Sequence, residues 1–179
     1  MIYRVKRIYK ELPLAVRNFL IRALLLFAGW LLIYNLVLKP INVPDRQLTQ
    51  FVEWGTVKTL SFFYPNVSSE GQDVLINNQG VLGIANQCNG LELIVLYIGF
   101  LFCLPTRPLR MLLYGVVGTI IICILNIGRC AALAMLYMSH NYYADFAHHY
   151  AFKLVVYAAV FFGWIIYSKN IGRNAQLQA

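Results

Sequence analysis

From Phe19 to Leu38 the chain reads FLIRALLLFAGWLLIYNLVL, a run whose one charge, Arg22, lies near its start. A hydrocarbon core about 30 Å thick takes roughly 20 such residues as a helix. A run this apolar on every face belongs in lipid or in a large protein core. The run is not unique. Leu91 to Leu104 is a shorter apolar stretch, MLLYGVVGTIIICILNI follows Pro108 to about Ile127 with apolar character continuing to Met138, and Ala147 to Tyr167 is a further stretch. The chain is 60% hydrophobic and 12% charged, whereas soluble domains run at about 45–50% and 25%. These patterns predict an all-α, polytopic integral membrane protein with about four transmembrane helices. Its 179 residues suit a single membrane domain: an N-terminal anchor span at about 19–38, an extracytoplasmic segment 39–90 and a three-span core at about 88–167. Lys39-Pro40 follows the first run where a small-residue cleavage site would be needed, so that run reads as a retained anchor and not a signal peptide.

Charge sets the expected orientation. The net charge of +8 does not form a basic stripe sharing a face with stacking aromatics, so nucleic acid is not an expected partner. Arg4, Lys6, Arg7, Lys10 and Arg17 precede the first span, Arg107 and Arg110 lie between the second and third, and Lys169 and Arg173 follow the last. With an even number of spans, the positive-inside rule puts both termini in the cytoplasm of a cell whose inner (plasma) membrane holds the protein. Asp45, Glu53, Glu70, Asp73, Glu92 and Asp145 then fall on or near the outer side. In the outer segment, Leu48, Phe51, Val52, Gly55, Leu60 and Phe63 recur at helical intervals and predict an interfacial amphipathic helix over Gln47–Tyr64. Val74-Leu75-Ile76 and Val81-Leu82-Gly83-Ile84, around Asn77-Asn78-Gln79-Gly80, predict a small β-hairpin.

Polar groups inside or beside spans are costly and mark functional sites by default. Three clusters qualify: Asn86-Gln87-Cys88-Asn89-Gly90-Leu91-Glu92, Asn126-Ile127-Gly128-Arg129, and His148-His149. In the four-span topology all three stand at the outer ends of spans. Cys88 begins a predicted helix, where backbone N–H groups and the dipole favour a thiolate. Arg129 is a cation for that thiolate or a donor to an oxyanion. A histidine is a proton shuttle toward thiol and leaving amine. Competing structural readings exist for each: Cys88 in a core or in a disulfide with Cys130, Arg129 paired with Glu92 or a lipid phosphate, and the histidines as a weak metal site lacking further ligands. Cys103 and Cys123 read as core residues. No cofactor and no metal is expected, and neither Gly-x-Ser-x-Gly nor His-Glu-x-x-His occurs.

Cys-Asn-Gly-Leu, then Asn-x-x-Arg, then a histidine at the head of a final span resembles the exosortase/archaeosortase family of polytopic membrane cysteine transpeptidases, over roughly residues 70–165. The resemblance implies a nucleophile at Cys88, supported by Asn89, Gly90 and Glu92, an arginine at Arg129 with Asn126 as its motif partner, and a histidine at His148 or His149. His148-His149-Tyr150-Ala151-Phe152 is similar to short members with an aromatic four residues after the histidine, which favours His148. It implies substrates that are secreted proteins ending in a short motif, a transmembrane helix and a basic cluster, cleaved through a thioester and passed to an amine on a membrane lipid or surface anchor. Gly115, Gly118 and Gly128 would let a substrate helix dock. The alternative is a non-enzymatic membrane assembly factor or small transporter subunit, in which Arg129 and the histidines form a structural polar network.

Overall fold

A computed structural model describes residues 12–104, 106–139, 144–146 and 150–176, with backbone alone at Gln87, at Asp145 and at 170–176. His148 and His149 therefore lie outside the described residues, as does His140. Helix α1 (Leu14–Ile33) continues through a π-helical stretch, Tyr34–Leu38, to Ile41. Helix α2 (Asp45–Leu60) follows, then strands β1 (Val67–Glu70), β2 (Asp73–Ile76) and β3 (Gln79–Gly83). A 3-10 turn, Asn86–Cys88, leads into α3 (Leu91–Cys103), α4 (Pro108–Met138) and α5 (Phe152–Gln176), with a single helical turn at Ala144–Phe146 before α5.

Among the described residues, three stretches are long and apolar enough to cross a bilayer: Leu14–Ile41, Pro108–Met138 and Phe152–Lys169. Helix α3 is apolar but has only 13 residues, about 20 Å at 1.5 Å per residue, against a core of about 30 Å. Helix α4 has 31 residues, about 46 Å by the same rise, so it overshoots the hydrocarbon by several turns. That overshoot lets one helix serve two cores. Its middle, at Ile122, packs with Tyr97 and Leu101 of α3 and Val160 and Tyr167 of α5. Its far end, at Cys130, Ala131 and Ala134, packs with Val52 and Leu60 of α2, Val74 and Ile76 of β2, and Ile84.

The first core is locked at one end by Tyr167, which is fully buried. Its hydroxyl lies 2.9 Å from that of Thr106 and donates to the Leu104 carbonyl at 3.0 Å. Arg110 donates from Nη2 to the Tyr167 carbonyl at 3.1 Å, and its guanidinium lies over the rings of Tyr114 and Tyr167 at 5.4 and 5.5 Å. Gly118 is not open to a docking helix: a Cβ there would collide with the Tyr97 ring of α3. Of the three glycines named above, Gly115 is in ordinary contact with Leu101, and only Gly128 has open space beside it.

The sheet is an antiparallel β1-β2-β3 meander and not a two-stranded hairpin. Asn77 and Asn78 turn β2 into β3 with φ of 53° and 62°, the paired positive values of a tight primed turn. Strand β1, VSSE, has no alternation that would announce it; it is recruited by pairing Val67 with Ile76. The helix expected over Gln47–Tyr64 is α2, Asp45–Leu60. Asp45, Thr49, Val52, Glu53, Gly55, Thr56 and Leu60 are buried, whereas Phe51, Trp54, Phe62 and Phe63 are exposed. The aromatic side suits a lipid interface, and the inward side is half polar because it meets polar groups.

Candidate functional site

The chain turns sharply between β3 and α3. The 3-10 turn ends at Cys88, and Gly90 takes φ +86° before α3 begins. That left-handed conformation is why glycine stands there. Asn89, 1% exposed, caps the helix: its Oδ1 accepts from the Leu91 N–H at 2.8 Å. Its Nδ2 donates to Asp45 Oδ1 at 2.9 Å and to the Asp45 carbonyl at 3.2 Å, with Thr49 Oγ1 at 3.4 Å. Thr49 also donates to Asn86 Oδ1 at 3.1 Å, and Asn86 Nδ2 donates to Asn42 Oδ1 at 2.9 Å. The beginning of α2 thus clamps the turn from one side.

Helix α4 holds it from the other. Asn126 and Arg129 are three residues apart and share a helical face. Asn126 Nδ2 donates to the Cys88 carbonyl oxygen at 2.7 Å, and Arg129 Nη2 donates to the same oxygen at 3.4 Å. Asn126 is 1% exposed. Its Oδ1 and the Nε of Arg129 are buried with no hydrogen-bond partner among the described residues. Buried polar groups are nearly always paired, and the described residues leave one acceptor and one donor near Cys88 without a partner. All four cysteines are free, so Cys88 and Cys130 form no disulfide. Cys88 is partly exposed, Cys103 is buried, and Cys130 is buried close to Arg129 and Thr56. Glu92 is exposed on the first turn of α3, and Arg129 directs its resolved hydrogen bond to Cys88 and not to Glu92.

Of the residues singled out in the sequence, Cys88, Asn89, Gly90, Asn126 and Arg129 therefore come together; Glu92 stands at the edge, and His148 and His149 lie outside the described residues. Among the described residues no group of three His, Cys, Asp or Glu side chains is placed to hold a metal. Sequence reasoning missed Asp45 and Thr49. Their only signal was a polar residue at i and i+4 on a helix read as apolar on that side.

The depth of the turn follows from helix lengths. Asn126 is 18 residues beyond Pro108, about 27 Å along α4. The short α3 brings Cys88 to the same level. A full-length span in place of α3 would carry the cysteine well past the apolar layer.

Asp45 is 3% exposed, and its carboxylate has Asn89 as partner. Asp45→Ala takes the carboxylate from the Asn89 amide and leaves it the backbone carbonyl and Thr49, a loss of about 2–3 kcal/mol for a buried charge-assisted bond. Asp45→Asn keeps an oxygen for that N–H and should lose about 1 kcal/mol. Thermal unfolding in detergent checks the order, and maleimide labelling of Cys88 should quicken in Asp45→Ala as the turn loosens.

A family model described as "Transmembrane exosortase (Exosortase_EpsH)" matches residues 14–168. No curated protein matches the chain, and neither does any solved structure. The match covers the anchor, the clamp helix, the Cys88 turn and the helices that frame it, so the chain belongs to the transmembrane exosortase family.

Proposed function

We propose that this protein is a sorting transpeptidase whose nucleophile is Cys88, acting at the extracytoplasmic boundary of the membrane. The observation that carries the reading is the meeting of Cys88 with Asn126 and Arg129, which lie 38 and 41 residues away in sequence. The Cys88 sulfur attacks the scissile carbonyl of a secreted protein's C-terminal tail. A C–S bond forms, and the carbonyl oxygen takes negative charge. Arg129 supplies N–H donors to that charge in a setting of low dielectric, where such donors count most. The intermediate then collapses: the C–N bond breaks, the leaving amine takes a proton, and a thioester remains. The family resemblance gives the proton shuttle to His148 or His149. An amine displaces the sulfur and forms the new amide.

The positive-inside arrangement and the depth of the Cys88 turn support an outer-face site. The substrate is read, from the family, as a tail with a motif, one apolar span and a basic cluster. Incubation of the purified protein with such a tail, followed by mass spectrometry under acidic quench, should find an acyl adduct on Cys88. An assembly factor or transporter subunit would show no adduct, and all four thiols would stay unmodified.

A further inference from the structure

An anchor span needs only apolar surface, and most of α1 offers nothing else: no residue from Leu14 to Leu38 is buried in the protein. Its outer end is different. The helix widens into the π-helical stretch Tyr34–Leu38, a distortion that recurs at functional sites. It stops at Asn42, whose φ of 56° is a left-handed value that asparagine tolerates better than most residues. From both sides of that stretch a side chain reaches the Cys88 turn. Asn42 Oδ1 accepts from Asn86 Nδ2 at 2.9 Å. The Tyr34 ring stacks on Trp30, one turn back, with 5.2 Å between ring centres, and its hydroxyl meets the Asp45 carboxylate. That carboxylate accepts from Asn89 Nδ2 at 2.9 Å. Asn86 stands two residues before Cys88, and Asn89 stands one after it. The first span therefore grips the chain on each side of the sulfur, directly at Asn86 and through one carboxylate at Asn89. Polar groups on a span are costly, and α1 has no buried core that would require these two.

We infer that Tyr34 and Asn42 are positioning residues for the nucleophile, Tyr34 through Asp45 and Asn89 and Asn42 through Asn86. The first span is then a working part of the active site as well as an anchor. This deepens the transpeptidase reading and rests on Cys88 as its nucleophile. A sulfur that attacks a carbonyl must stand in one place relative to the donors that meet the oxyanion. A displacement of about 1 Å there costs on the order of 10²-fold in rate. Attack on a saturated carbon develops no oxyanion and uses none of those donors. Acylation thus reports where the sulfur is placed, and alkylation reports only whether it can be reached.

The test uses the full chain in detergent and two small reagents. p-Nitrophenyl acetate acylates the thiol with a burst of p-nitrophenolate, and iodoacetamide alkylates it; mass spectrometry follows both at Cys88. Tyr34→Phe keeps the ring, its stacking on Trp30 and the apolar span, and removes the hydroxyl alone. Acylation should slow about tenfold in Tyr34→Phe while alkylation stays within about twofold of the unaltered protein. Asn42→Gly keeps the left-handed backbone and removes the amide. It should slow acylation at least about threefold with alkylation again near its native rate, and Asn42→Asp, which returns an acceptor to Asn86, should recover most of the loss. Native acylation in Tyr34→Phe overturns the role of Tyr34, and equal acylation in Asn42→Gly and Asn42→Asp overturns that of Asn42. A parallel fall of both reactions, or loss of the fold in either variant, makes the residue a plain support and overturns its assignment as well. A burst that persists in Cys88→Ala would instead overturn the nucleophile, a result separate from every outcome at α1.

Discussion

Cys88→Ala should leave substrate uncleaved, with turnover lower by about four orders of magnitude or more, the scale seen when a nucleophile is removed from an acyl-transfer centre. Full-length substrate should accumulate in the membrane fraction. Cys103→Ala and Cys123→Ala should process substrate at rates near that of the unaltered protein. The contrast arises from setting. Cys103 lies buried in the last turn of α3, and Cys123 lies along the apolar part of α4. Cys88 sits three residues before the first residue of α3, partly exposed, on a backbone fixed from both sides. Cys88→Ser is the stricter test, because serine keeps size and polarity while its hydroxyl is a far weaker nucleophile than a thiol. Processing by Cys88→Ser at the native rate would show that the residue is structural. Pulse-chase of a tagged substrate beside each variant measures all four.

How much of this was written locally in the chain depends on the element. The runs at Phe19–Leu38 and after Pro108 announce membrane helices because lipid demands apolar surface all round, a property of each segment alone. Asn77-Asn78 announces a tight turn because both residues accept positive φ. The Asn86–Gly90 turn was legible as polar residues at the head of an apolar helix. The inward face of α2 was not. Its spacing put Phe51 and Phe63 in one apolar series with Val52, Gly55 and Leu60, yet the last three are buried against the protein while the two aromatics are exposed. What decides the face is Asn89, 40 residues beyond Thr49, together with the Cys130–Ala134 turn of α4. No pattern within α2 encodes partners that distant. Strand β1 fails for the same reason, since only pairing with β2 makes VSSE extended. Gly118 illustrates a subtler limit. A small residue on a membrane helix signals close approach, but its own chain fills the space with Tyr97, and spacing cannot tell an internal partner from an external one.

Arg129→Lys should lower turnover by about 10²–10³-fold, the range for loss of an oxyanion donor, although charge is kept. The reason lies in how the side chain is used. One Nη2 donor steadies the Cys88 carbonyl, and the buried Nε donor has no partner among the described residues. A planar guanidinium serves two acceptors at once from fixed directions. An ammonium is a compact point charge on a flexible stem and must choose one. Lysine would meet the nearer Cys88 carbonyl and leave nothing aimed at the reacting oxygen, so the loss should fall on kcat more than on KM. A second consequence separates this role from plain structural support. Asn126→Leu removes the shorter bond to the same Cys88 carbonyl but leaves the guanidinium in place. If Arg129 only braced the turn, Asn126→Leu would cost at least as much as Arg129→Lys. If it stabilises charge, the lysine variant should be the slower of the two while unfolding at the higher temperature. Steady-state kinetics and thermal unfolding on the same two preparations decide between them, and equal rates would remove Arg129 from the chemistry.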